Sequence, residues 1–116
     1  MPPPSNAAPS DEFDDFDDAL AGFRRDYAAQ LPGKLDAIRT QLAECLAHPE
    51  DGTALTDLTR LLHKLAGSAG TFGFEALGQQ AKSAELSCVA LQDLAPRTGA
   101  DLAGVARAIA ALGGPD

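Results

Sequence analysis

The chain has 116 residues, a formal charge of −8 and a pI near 4.5, enough for one domain with a real core and too little for several folded modules. Leu and Ala supply most of the apolar content, with five Phe, one Tyr and no Trp, so an all-α protein is expected. The acidity argues against a nucleic-acid binder, which would need a basic stripe. No apolar run approaches ~18 residues and MPPPSNAAPS has neither the basic nor the apolar region of a signal peptide, so no membrane role is expected and the cytoplasm is the default location.

In chain order, residues 1–10 hold four prolines with Ser and Asn and read as a disordered leader. Residues 11–114 read as one helical domain. Six of the seventeen acids lie in DEFDDFDD, residues 11 to 18; from Ala19 on, eleven acids face nine bases, so the charge excess is local. Ser10 is a candidate cap, and Asp11, Glu12, Asp14 and Asp15 suit the positive end of a helix dipole. The apolar positions Phe13, Phe16, Leu20, Phe23, Tyr27, Leu31, Leu35, Ile38, Leu42 and Cys45 then recur every three or four residues, one long amphipathic face. Pro32 and Gly33 predict a kink or a break near Leu31; the unbroken phase across them favours a kink.

HPEDGT, residues 48 to 53, reads as a loop with Thr53 as a possible cap. A second helix is expected from about Thr53 to Ala69 and a third from about Glu75 to Gln92, its stripe formed by Leu77, Ala81, Ala84, Cys88 and Leu91. A fourth carries Leu102, Val105, Ala106, Ile109 and Leu112 and ends at Gly113. Short links between amphipathic helices predict an antiparallel four-helix bundle with an N-terminal helical extension. Cys45 and Cys88 fall on apolar faces with no CxxC spacing, and are expected to be buried and reduced, with no metal site.

The stretch LLHKLAGSAGTFGF, Leu61 to Phe74, carries the candidate chemistry. On a helical wheel with His63 at zero, Leu58, Leu61, Leu62, Leu65 and Ala69 fall between roughly 160° and 260°. Thr59, Arg60, Ala66, Gly67 and Gly70 fall within about 60° of His63, which is therefore expected to face solvent on a surface of small or polar residues. Glycine in a helix loses about 1 kcal/mol relative to Ala. A bare patch under an exposed imidazole reads as room left for a partner. His48, in a loop without that surround, is read as inert.

His63, Leu65, Gly67, Ser68, Ala69, Gly70, Phe72 and Gly73, followed by Leu77, Ala81 and Glu85, resemble the histidine phosphotransfer domain, the HPt module of two-component phosphorelays. The resemblance spans about Leu58 to Glu85. It implies that His63 accepts a phosphoryl group on Nε2 from a receiver-domain aspartate or a kinase and passes it to a response-regulator receiver. A free imidazole titrates near ~6.5 and is largely neutral at cytoplasmic pH, which suits it to such an attack. Gly67 matches a glycine whose lack of a side chain admits the aspartyl phosphate. Glu85 matches a Glu or Gln that hydrogen-bonds the other ring nitrogen, although an ordinary ion pair with Lys82 would also account for it. Many relatives carry a lysine three residues after the histidine, where this chain has Ala66; Arg60 and Lys82 are better placed than Lys64 to substitute.

GSAG lacks the lysine and Ser or Thr of a P-loop and no kinase signature is present, so a phosphocarrier without its own ATP chemistry is expected. No cofactor is expected, and the Mg2+ that neutralises charge in phosphoryl transfer should come with the receiver partner. The expected partners are a receiver domain and a sensor or hybrid histidine kinase, docking through Thr59, Ala66, Gly67 and Gly70 with Arg60, Lys64 and Lys82 at the rim; nothing requires more than a monomer. Two rival readings are a pseudo-phosphotransfer interaction module that carries no phosphate, and the excised N-terminal module of a chemotaxis-type kinase.

Overall fold

The structure, a computed structural model, describes residues 3–114, with side chains from Asp15 onward. Four helices and no strand are found among the described residues: α1 (Pro3–Ala47), α2 (Gly52–Thr71), α3 (Glu75–Leu91) and α4 (Ala103–Ala110). Consecutive helices are joined by short turns and pack side by side as a bundle, α3 lying between α2 and α4 and α1 against α2.

α1 has 45 residues, about 68 Å at 1.5 Å per residue, and it sets the long dimension of a molecule measuring 76 × 25 × 23 Å. The helix is described from Pro3, so Ser10 lies inside it and does not cap it; Pro3 and Pro4 stand in the first turn, where no backbone donor is required. Residues 1 and 2 of the expected leader, and the side chain of Phe13, lie outside the described residues. α1 runs through Pro32 and Gly33 without a break, because Leu31 and Leu35 before and after them pack on the same core. Phe16 and Phe23 are exposed, and Tyr27 is the first buried residue described, so the helix projects beyond the bundle on its N-terminal side.

α2 is capped by Asp51 rather than by Thr53. The Asp51 carboxylate Oδ1 accepts from the amides of Thr53, at 2.9 Å, and Ala54, at 3.1 Å, taking two of the donors that a helix start leaves free. At the other end, Phe74 N donates to Ala69 O at 2.8 Å, and Gly73, at φ +87, takes the left-handed turn that reverses the chain into α3. α2 therefore reaches Thr71, past Ala69, and α3 stops at Leu91.

Ile38, Cys45, Leu55, Leu58, Leu62, Cys88, Leu102, Val105 and Ile109 form the fully buried centre, each large aliphatic contributing about 1.5–3 kcal/mol by burial. Both cysteines are free and buried. At the end of the bundle from which α1 projects, the Tyr27 ring stacks on Phe72 at 4.9 Å and lies 5.7 Å from Phe74. The Tyr27 hydroxyl bonds Ser68 Oγ at 2.6 Å, tying α1 to α2. At the opposite end the buried guanidinium of Arg97 donates to the carbonyls of Pro49, at 2.8 Å, and Leu91 and Leu94, at 2.9 and 3.2 Å. One side chain thus joins the α1–α2 loop to the α3–α4 link.

Candidate functional site

The face of α2 opposite its core leucines carries His63. Leu58, Leu62, Leu65 and Ala69 are buried and Leu61 partly so, which turns the imidazole outward with 70% of its side chain exposed. One ring nitrogen is held: Nδ1 lies 2.9 Å from Glu85 Oε2 on α3. Glu85 is only 11% exposed as a side chain, and its second oxygen, Oε1, accepts from Lys82 Nζ at 3.5 Å. An ionised carboxylate only accepts hydrogen bonds, so the contact at Nδ1 requires the ring proton there and leaves the lone pair of a neutral imidazole on Nε2.

Beside the ring lies an open hollow lined by His63, Ala66 and Gly67 of α2 and by Glu75, Gly78, Gln79, Lys82 and Glu85 of α3. It exists because the two helices meet through backbone. A Cβ added at Gly78 would stand 3.2 Å from both Ala66 O and Gly70 N. Gly67 plays a different part: a Cβ there would meet nothing within 4 Å, so its face is open to solvent.

The residues singled out in the sequence divide accordingly. His63, Ala66, Gly67, Lys82 and Glu85 come together around the hollow. Thr59 is engaged elsewhere, donating to Leu55 O at 2.8 Å and accepting from Gln92 Nε2 at 3.2 Å. Arg60 pairs at 3.3 Å with Asp57, on the N-terminal side of α2 and away from the hollow. Lys64 lines a separate groove with Lys34, Ile38 and Leu61 toward α1. Gly70 stands behind Gly78 with open space at its own Cβ position. Gly78, Gln79 and Glu75 were not anticipated, yet Gly78 is seven residues before Glu85, and Gln79 and Glu75 are three and seven before Lys82. Helical stepping back from those two residues would have found them.

Among the described residues no three His, Cys, Asp or Glu side chains gather to hold a metal ion, and no helix is long and apolar enough to cross a membrane. The family profile described as the Hpt domain matches residues 22–114. The chain belongs to the Hpt domain family. Hpt domains are helical bundles that carry phosphoryl groups on histidine in two-component signalling, phosphocarriers rather than kinases, and their partners in those systems are kinases and receiver domains. No curated protein and no solved structure matches the chain. The matched residues begin five positions before Tyr27, so the projecting part of α1 up to Ala21 falls outside the family's extent.

Proposed function

We propose that His63 is the phosphoacceptor of this Hpt domain, taking the group from a receiver aspartate or a histidine kinase and delivering it to a response-regulator aspartate. The observation that supports this is the pairing of an exposed imidazole with a nearly buried carboxylate at Nδ1. The Nε2 lone pair attacks phosphorus of the aspartyl phosphate, the new N–P bond forms as the acyl O–P bond breaks, and the aspartate carboxylate leaves. No proton need depart from Nε2. The positive charge that develops on the ring is met by Glu85, which also fixes the ring's orientation.

Gly67, with open space over it, leaves the approach clear for an acidic loop bearing phosphate. We further propose that the charge-neutralising Mg2+ is brought by the receiver, since the residues around His63 offer Glu75 and Glu85 without a third ligand. This reading places the protein where receivers act, in the cytoplasm.

The test is incubation with a panel of phosphorylated receiver domains, comparing the native chain with His63→Gln. Acid-labile label on the native chain and none on the variant is the expected result. Equal label on both sinks the assignment of His63.

A further inference from the structure

We infer that Lys82 is the positioning residue for the phosphoryl group on His63, supplying from α3 the positive charge that α2 does not offer at Ala66; this rests on His63 being the phosphoacceptor. The hollow beside the imidazole is the space into which a group on the ring can settle, and its lining sets the charge that the group meets. Two carboxylates, Glu75 and Glu85, line it, and Lys82 is its one lysine or arginine. With Lys82 neutralised, a phosphoryl group there would face negative charge alone.

The other basic residues near His63 are turned away. Arg60 is engaged with Asp57 at 3.3 Å, toward the start of α2, whereas the hollow opens on the Ala66 and Gly67 side of His63. Lys64 belongs to the groove shared with Lys34 on the α1 side. Lys82 is loosely held. Its ammonium is 3.5 Å from Glu85 Oε1 and its side chain is 55% exposed, a pairing of the kind that contributes little and exchanges readily. Glu85 therefore links the two basic side chains of the site, His63 through Oε2 and Lys82 through Oε1.

When the N–P bond forms, the Nδ1 proton stays between the ring and Glu85, and the ring becomes cationic. Glu85 is then drawn to the ring, and the Lys82 ammonium turns from Oε1 to the phosphoryl oxygens without losing its proton. An ammonium acts on phosphate as a point charge with freely rotating donors, so it needs reach more than fixed geometry. Ala66, Gly67 and Gly78 put no side chain in its way.

Two donors test this in the 116-residue chain. One is a phosphorylated receiver domain; the other is phosphoramidate, a small donor that needs no docking surface and releases ammonia as Nε2 takes its phosphoryl group. Lys82→Ala is expected to slow labelling of His63 by both donors about two- to fivefold, the size of one partly exposed charge interaction. Lys82→Arg should keep most of the rate. Ala66→Lys added to Lys82→Ala should restore it, because a lysine at position 66 reaches the same hollow without touching Glu85's place on α3. Arg39→Ala, a base on the outer face of α1, should label at the native rate.

If Lys82→Ala labels at the native rate with both donors while the native chain is labelled on His63, the inference is overturned and the phosphoacceptor reading stands. Failure of the double variant to recover, with helicity by circular dichroism unchanged, also overturns it, since the loss would then come from Glu85 rather than from missing charge. Absence of label on His63 in the native chain would instead strike the phosphoacceptor reading.

Discussion

Glu85 reaches from α3 to hold His63 Nδ1 at 2.9 Å, and the two differ sharply in exposure, 11% for the carboxylate side chain and 70% for the imidazole. A hydrogen bond to a charged partner contributes about 1.5–3 kcal/mol, and this one is useful only if it grows stronger as charge develops on the ring. Glu85→Ala is therefore expected to slow phosphoryl transfer by about tenfold or more, and Glu85→Gln, which keeps an acceptor oxygen, by less. Single-turnover transfer from a phosphorylated receiver measures this, with receiver affinity unchanged. An unaltered rate in Glu85→Ala would reduce Glu85 to a surface partner of Lys82.

Gly67 and Gly78 both line the hollow and should respond oppositely to alanine. Gly78→Ala puts a methyl group 3.2 Å from Ala66 O and Gly70 N, so the α2 backbone must give by a few tenths of an ångström, at an expected cost of about 1–3 kcal/mol. Gly67→Ala meets nothing and should gain up to about 1 kcal/mol from helix propensity. Urea denaturation of the two variants checks both signs. A large residue at the same open place, Gly67→Phe, should leave the fold intact and impede transfer from a receiver.

Burial pushes the Cys88 thiol up from its ordinary 9.0 to about 11, and burial raises Cys45 as well. The folded state thus favours the protonated thiol. Its pKa is raised on folding, so the stability it contributes is complete below about 9 and is lost as pH climbs toward about 11. Alkaline destabilisation should be smaller in Cys88→Ala than in the native chain, measured as the change in unfolding midpoint between those limits. At neutral pH neither cysteine should react with iodoacetamide until denaturant is added.

Removal of residues 1–18 should leave the stability within about 0.5 kcal/mol of native, the range of ordinary surface changes, because Phe16 is 61% exposed and Tyr27 is the first buried residue among the described side chains. Tyr27→Ala should cost about 3 kcal/mol or more, losing the stack on Phe72 and the bond to Ser68 together. A truncation that unfolds the bundle would show that the projecting turns of α1 support it. Thermal melts of the two proteins decide the matter.

Periodicity in the chain is enough to orient each helix. The spacing of Leu58, Leu62, Leu65 and Ala69 settles which side of α2 is buried, and hence that His63 points outward, because a helix repeats every 3.6 residues whatever packs on it. The same reasoning placed Cys45 and Cys88 in the core and made the protein all-helical. Periodicity cannot say which residue on one helix meets which on another. The cap at Asp51 and the reach of Arg97 to Pro49, Leu91 and Leu94 depend on where loops come to rest. The wheel disfavours Lys64 but leaves Arg60 and Lys82 unresolved, and it takes the packing of α3 on α2 to separate those two. That choice is made by Gly78, whose missing side chain brings α3 close enough for Glu85 to reach the ring and for Lys82 to line the space beside it.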